Sequence, residues 1–596
     1  MDAANFPALF FRQVERLKDR VALRRKEYGI WKRISWKEYG QSVREAAAGI
    51  IAAGLQKGER VAILGDNRPE WLICHLAAMT AGGVTCGIYS TSSPDQVAYE
   101  LKHSETKILF VENEEQLDKV LLILSRLDLS LMVVWDAKGL WGFSQPGIIF
   151  FDEFMAKGRA YLEEHPECIS ARMAVIDPED TAMLIYTSGT TGRPKGAMIT
   201  HRNILFVVDA FMSANPFYKS DEMLSYLPLA HIYENVISLF VAAWSGGTVN
   251  FVESVDTLAL NLKEVSPTIF AGVPRIWEKF ASSIELKMAD STLLKRILYR
   301  LAVQVGLRRV HAKKKTKEYY LWGLLYWPLY WLVLYPLKRQ LGFERVRFAG
   351  SAAAPAAPEL FEYYNALGIP LREGYGQTES TGMITLTREG RSRWGYVGEP
   401  IPGCEVKIAD DGEIVVKGPN VFKGYFKDPE LTASTIKDGW LYTGDIGTMK
   451  DGFLKIVDRK KDIIITAGGK NITPAFIENK LKFSPYIQDA VVIGDRRKYL
   501  VSLILIDEEN VAKYAQDHQI PYTTFADLTQ NPEIKKLIDH EVREVNKTLA
   551  RVETIKRFAL IPRRFYAEDG DVTPTQKVKR GNLQQQYRDL IESLYS

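Results

Sequence analysis

Residues 186–196 read YTSGTTGRPKG and set four hydroxyls (Thr187, Ser188, Thr190, Thr191) and the glycines Gly189, Gly192 and Gly196 beside one lysine, Lys195. Glycine lets backbone N–H groups turn toward a ligand, and successive N–H groups of this kind form an anion-binding concavity. Hydroxyls add donors for phosphate oxygens, and lysine adds a point charge. The arrangement differs from the common P-loop, in which the lysine follows a glycine and precedes Ser or Thr. Here Pro194 precedes Lys195 and Gly196 follows it. The segment before the loop, TAMLIY (181–186), is apolar and reads as a buried strand that delivers it.

Four further segments carry residue types suited to a nucleotide. In REGYGQTES (372–380), Tyr375 stands between Gly374 and Gly376, where its ring can stack on a flat base. Glu379 follows, with the hydroxyls of Thr378 and Ser380 beside it; such a carboxylate suits Mg²⁺, which takes one or two carboxylates plus substrate phosphates. In WLYTGDIG (440–447), Asp445 follows a glycine at a predicted strand end, where a carboxylate can accept from both ribose hydroxyls. In DRKKDIIITAGGKNITP (458–474), Arg459 can bridge ribose and phosphate, and the turn of Gly468, Gly469 and Lys470 is open to another ligand. In TPTQKVKR (573–580), Lys577 sits in a basic loop. Each of these, alone, also reads as an ordinary turn or solvated loop.

Taken in order and at these separations, the five segments resemble the AMP-forming adenylating superfamily. The resemblance runs from about residue 30 to 590 and is greatest to long-chain fatty acyl-CoA synthetases, through DRKKDIII, AGGKNITP, TPTQKVKR and the long insertion at 284–345. It implies a two-step reaction. A carboxylate attacks the α-phosphate of ATP to give acyl-AMP and pyrophosphate, and the thiol of coenzyme A then displaces AMP. It implies, further, that Thr187, Ser188, Gly189, Thr190, Thr191, Gly192 and Lys195 hold the β- and γ-phosphates. Thr187 and Glu379 become the Mg²⁺ partners. Gly374, Tyr375, Gly376, Gln377 and Thr378 form the adenine side, and Asp445 and Arg459 the ribose side. Lys577 matches the catalytic lysine that bridges acyl carboxylate and α-phosphate, although Gln576 replaces the usual preceding glycine and Lys579 lies close by. His231, in LPLAHIYEN, and the GSAAAP loop (Gly350, Ser351, Ala352) match acyl-pocket positions. Gly468, Gly469 and Lys470 match a coenzyme A contact, and Lys461 the hinge of a rotating small domain. Asn235 stands where some relatives carry a gating Trp. A fatty acyl-AMP ligase that serves a carrier protein, and a membrane-tethered binding protein on a ligase fold, are the alternatives.

The elements that must position these residues follow from the rest of the chain. At 596 residues more than one core is required. Residues 41–77, 84–89, 201–252 and 346–374 show βαβ rhythm, which predicts mostly parallel sheets with helices on their faces. From about 398 the texture shifts to short strands and turns, and after Asp458 to a small α+β unit. The expected organisation is an α/β adenylation core over 1–458, with a small β-rich subdomain, and a mobile α+β cap over 459–596. A net charge of +4 gives no case for nucleic acid, and four scattered cysteines suit a reducing compartment. The N-terminus does not read as a signal peptide.

One segment is out of character with a plain soluble enzyme. Residues 319–337, YYLWGLLYWPLYWLVLYPL, carry no charge and are flanked by Arg308, Arg309, Lys313, Lys314, Lys315, Lys317, Lys338 and Arg339. A spanning helix would be interrupted by Pro328, and a buried helix would need partners for many Tyr and Trp polar atoms. The favoured expectation is an interfacial helix, with the basic cluster toward anionic headgroups and the protein peripheral on the inner face of a membrane. Oligomeric state and acyl length are not legible.

Overall fold

The computed structural model describes residues 3–187, 193–312, 316–566, 569–573 and 578–596. Two large sheets form the body. The first has eight strands in the order Gly424–Tyr425, Lys195–Thr200, Thr181–Thr187, Val84–Ile88, Arg60–Leu64, Thr106–Val111, Leu131–Val134, Ile148–Phe150. Its central strands are parallel and nearly continuous in Val, Ile and Leu, as strands covered on both faces must be. At one edge the pairing is antiparallel: Lys195–Thr200 pairs with Gly424–Tyr425 on one side and with Thr181–Thr187 on the other, in a register that sets Thr187 opposite Lys195. The phosphate-loop candidate is therefore the connection of a hairpin. Its residues Ser188–Gly192 lie outside the described residues.

The second sheet has nine strands, with a parallel centre built from Val21–Glu27, Thr248–Phe251, Glu222–Ser225, Ile269–Gly272, Phe348–Ser351 and Leu371–Tyr375. Helices between the strands start where the sequence supplies caps: Ser35 and Glu38 form a reciprocal capping box on Trp36–Ala52, and Thr200 with Asn203 does the same for His201–Ala214. One contiguous core joins the facing layers through Phe10, Trp36, Trp71, Phe110, Phe211 and Phe240.

A third, antiparallel sheet contains Glu405–Ile408, Glu413–Lys417, Ile436–Lys437, Trp440–Lys450 and Phe453–Arg459. The chain then makes a two-stranded hairpin, Ile464–Ile465 with Asn471–Ile472, and a three-stranded sheet of Ile487–Ile493, Leu500–Ile506 and Ile555–Leu560. The helices Pro474–Lys482 and Pro532–Asn546 pack on that sheet around a core of their own, including Ile477, Leu481, Ile504 and Ile538.

The aromatic segment is helical from Lys317 to Leu329, wider-wound over Tyr330–Leu334, and helical again over Tyr335–Leu341. Pro328 removes one backbone donor near the end of the first turn-set, and the wider winding follows directly after it. No helix among the described residues is long and apolar enough to cross a membrane. The segment divides by face. Tyr326 and Leu334 are buried, whereas Leu324, Trp331 and Leu332 are 74%, 61% and 67% exposed. Two of the flanking arginines lie against aromatic rings, Arg308 exposed and Arg309 partly buried. Arg308 lies over the Trp322 ring, and Arg309 lies against Tyr319, Tyr326 and Trp327. A guanidinium within about 6 Å of a ring centroid is attracted to the negative face of the ring.

Candidate active site

The C-terminal ends of the parallel strands in both large sheets open into one cavity of about 3280 Å³, the place where open α/β sheets bind ligands. Thr187 and Lys195 line it from the first sheet, and Gly374 through Glu379 from the second. Strand Leu371–Tyr375 delivers the latter residues, and a short helical turn at Thr378–Ser380 stops it. Gly376 is required there, because a Cβ would collide with the backbone of Gly382 and Met383.

Asp445 and Arg459 enter from the third sheet as direct neighbours across two antiparallel strands. Asp445 accepts a 2.6 Å hydrogen bond from the Tyr375 hydroxyl on Oδ2, and its Oδ1 is 3.7 Å from Arg459 Nε. Burial, then the Asp445 charge, pushes the Tyr375 phenol far above its usual range, so it stays a donor. The carboxylate is thereby fixed beside the ring expected to carry the base. Glu379 is held differently: the Tyr425 hydroxyl donates to its Oε1 at 2.6 Å, and Lys195 Nζ lies 5.6 Å from the Tyr425 ring centre.

The C-terminal domain adds to the wall through Lys461–Ile464, Thr573 and Val578–Arg580. Asp458 ties the two parts together. It accepts from the backbone N–H of Arg459 at 2.7 Å and of Ala475, at the start of helix Pro474–Lys482, at 3.2 Å. Burial raises its carboxyl to about 6. Lys461 stands in the exposed turn just past the last strand of the third sheet; partial burial, then Arg459, lowers its pKa, and Lys195 is among the charges acting on it. Lys577 lies outside the described residues, while Thr573 and Val578 on either side of its loop line the cavity, closed by a bridge between Val572 and Val578.

His231 lines the apolar arm of the cavity together with Tyr233 and Ala352–Ala356. It caps a short helix, Nδ1 accepting from the Tyr233 N–H at 3.2 Å. Gly350 and Ser351 are placed otherwise: both are buried in strand Phe348–Ser351 and are not among the cavity's lining residues, unlike Ala352. Asn235 is buried and donates to the carbonyls of Leu229 at 2.6 Å and His231 at 3.3 Å, so it braces the His231 turn. Gly468, Gly469 and Lys470 form the exposed end of the two-stranded hairpin, with Gly469 at φ +71°, and do not line the cavity in this arrangement of the domains.

Glu373 and Tyr425 are among the cavity residues that escaped the reading of the sequence. Glu373 is displaced by two from Tyr375 on one strand, hence on the same face, and burial raises its carboxyl to about 8. That alternation was a usable signal. Tyr425, in a two-residue strand within FKGYFKD, left none.

Tyr375, Asp445, Lys195 and Glu379, the residues expected at a nucleotide, thus line one space. Comparison with known proteins places the chain in a family along nearly its whole length. The AMP-binding enzyme family matches residues 10–426, and the AMP-binding enzyme C-terminal domain matches 461–596. The long-chain-fatty-acid–CoA ligase FadD15 of Mycobacterium bovis is 34% identical over 596 residues, covering 99% of this chain and 97% of that protein. The human long-chain-fatty-acid–CoA ligase ACSBG1 is 32% identical, covering 98% and 84%. Among solved structures, the anthranilate CoA ligase AuaEII in complex with anthranoyl-AMP aligns with a TM-score of 0.75 at 19% identity over 99% of this chain and 98% of that one, a likeness of fold. The chain belongs to the AMP-binding enzyme family, the AMP-forming adenylating superfamily, and within it to the long-chain acyl-CoA synthetases.

Proposed function

We propose that the protein activates a long-chain fatty acid with ATP and transfers the acyl group to coenzyme A, releasing pyrophosphate and AMP. The observation that carries this reading is the single cavity onto which Lys195, Glu379, Tyr375, Asp445, Arg459 and both flanks of the Lys577 loop converge. Its volume exceeds the several hundred Å³ of an ordinary ligand pocket, as a site for three substrates must. A fatty carboxylate is already ionised at neutral pH, so the first step needs no general base. The rate comes from alignment of carboxylate and α-phosphate and from charge placed around the phosphoryl group. Tyr375 stacks on adenine, Asp445 accepts from the ribose, and Lys195 with the hydroxyls of 187–191 takes the β- and γ-phosphates. Lys577 bridges the acyl carboxylate and the α-phosphate. After pyrophosphate leaves, rotation about Lys461 carries the turn of Gly468, Gly469 and Lys470 toward the site for thiol attack on the acyl carbon, with AMP as leaving group. The donor set suits Mg²⁺: Glu379 and Thr187, both lining the cavity, would hold it with the phosphates. When bound, that ion neutralises charge on the triphosphate.

The acyl substrate supports a membrane contact as well. Helix Lys317–Leu329 and its continuation present Leu321, Leu324, Leu325, Trp327, Trp331 and Leu332 outward. A helix apolar on both faces is suited to lipid on the side its own fold leaves uncovered. With six large apolar side chains exposed, the contact rests mainly on apolar area and survives raised salt. Two experiments test these readings. Pyrophosphate release must require both ATP and a fatty acid, and acyl thioester must require free coenzyme A; product without coenzyme A refutes the acceptor. The protein must sediment with phospholipid vesicles at about 0.5 M salt, where surface charge is screened within a few ångströms, and Leu324→Ser with Trp331→Ser and Leu332→Ser must release it. Wild-type protein left in the supernatant refutes the membrane contact.

A further inference from the structure

Tyr425 belongs to the edge strand Gly424–Tyr425, paired antiparallel with Met198 and Ala197 of the strand that begins at Lys195. Its backbone is fixed: its N–H donates to Thr432 Oγ1 at 2.9 Å, and that hydroxyl donates to the Asp428 carbonyl at 2.8 Å. Its side chain leaves this sheet and reaches the loop of the second one. The hydroxyl meets Glu379 Oε1 at 2.6 Å, and the Phe422 N–H meets the Glu379 carbonyl at 2.9 Å, so side chain and backbone of Glu379 are both held from the 422–425 segment. Tyr425 is 8% exposed, and what remains exposed faces the cavity.

The position matters because of its two charged neighbours. Lys195 and Glu379 line the same space, and among the described residues they form no ion pair. A lysine and a carboxylate facing each other across a cleft attract, and a direct pair would occupy both groups before any nucleotide arrived. The ring of Tyr425 takes the ammonium on its face and its hydroxyl takes one carboxylate oxygen. Burial, then the neighbouring Glu379, pushes the phenol well above its usual range, which keeps the hydroxyl a donor.

We propose that Tyr425 is a positioning residue that keeps Lys195 and Glu379 apart and fixes the Glu379 carboxylate so that its second oxygen can meet a divalent cation arriving with the nucleotide. The inference rests on the ATP reading above. It assigns Tyr425 no contact with substrate.

The test is equilibrium ATP binding, measured by calorimetry with excess chelator and again with Mg²⁺, together with thermal melting. Tyr425→Phe keeps the ring and loses the hydroxyl. Its chelator-condition affinity should stay within about twofold of wild type, while the gain from Mg²⁺ should shrink by about ten- to a hundredfold, the effect of one hydrogen bond to a charged group. In a Glu379→Gln background the same change should do nothing more. Tyr425→Ala should weaken binding even with chelator, as Lys195 pairs with Glu379, and adding Glu379→Gln should restore it. Equal losses with and without Mg²⁺, an unchanged Mg²⁺ gain in Tyr425→Phe, or additivity with Glu379→Gln overturns the inference. Should Tyr425→Ala not fold, the Tyr425→Phe pair decides alone. Wild-type protein that binds no ATP under either condition refutes the ATP reading itself, and the inference with it.

Discussion

Asp445→Asn isolates the charge of the carboxylate proposed to meet the ribose, while keeping its shape. The carboxylate accepts from Tyr375 at 2.6 Å and stands 3.7 Å from Arg459. Charge-assisted hydrogen bonds are about twice as strong as neutral ones, so the Tyr375 bond loses about 1 kcal/mol. The Arg459 contact is long and half-exposed on the arginine side, and contributes at most about 1 kcal/mol. The empty protein therefore loses about 1–2 kcal/mol and remains folded. With nucleotide, two ribose hydroxyls donate to the same group. Each such bond is worth about 1.5–3 kcal/mol with a charged acceptor, and about half of that survives neutralisation. The difference for ATP is about 1.5–3 kcal/mol, or roughly 10- to 150-fold in affinity. The assay is pyrophosphate release against ATP concentration at saturating fatty acid. The KM for ATP should rise by that factor, with kcat and the KM for fatty acid little changed, the signature of uniform binding. A ribose-deoxygenated ATP should be penalised less by the variant than by wild type. An unchanged KM for ATP in a folded variant, or an equal penalty in both proteins, refutes the ribose assignment.

Three further outcomes are expected. Lys577→Ala should abolish adenylate formation, by about 10²–10³ in rate, and spare thioester formation from supplied acyl-AMP; equal loss of both half-reactions, or the selective defect appearing in Lys579→Ala instead, refutes the assignment. Lys461→Pro restricts φ at the proposed hinge and should do the reverse, sparing adenylation and slowing transfer to coenzyme A; unchanged turnover counts against a rotating cap. Glu234 is buried, accepts from the Ser225 and Ser238 hydroxyls at 2.6 Å each, and burial raises its carboxyl from 4.5 to about 7. Its folded pKa lies above the unfolded one, so its contribution is most favourable below about 4.5 and is lost as pH rises toward about 7, by up to about 3 kcal/mol. Glu234→Gln should flatten the melting temperature across that window relative to wild type, and parallel profiles for the two proteins would show that Glu234 does not titrate there.

What the chain reveals by itself is local. Glycine and hydroxyl spacing marks the loop after Thr187, apolar runs mark the strands that deliver it and Tyr375, and Ser35 with Glu38 marks a helix start; these depend on a few neighbouring residues, so they are legible without a fold. The order of the five segments suffices to place the chain in its family. The tertiary structure decides what lies between them. Tyr375 and Asp445 are 70 residues apart, and Tyr425 and Glu379 46 apart, yet each pair is within 2.6 Å. Periodicity tells which face of a strand is covered, and not which other face covers it. For the same reason the charge-free run at 319–337 could be read only as apolar. Which ring sides Arg308 and Arg309 would cover, and which leucines would stay exposed, followed from how the helices at 293–311 and 317–341 pack. The catalytic inventory is a property of short stretches of chain; the distances between its members arise from the packing of three sheets, which no single stretch contains.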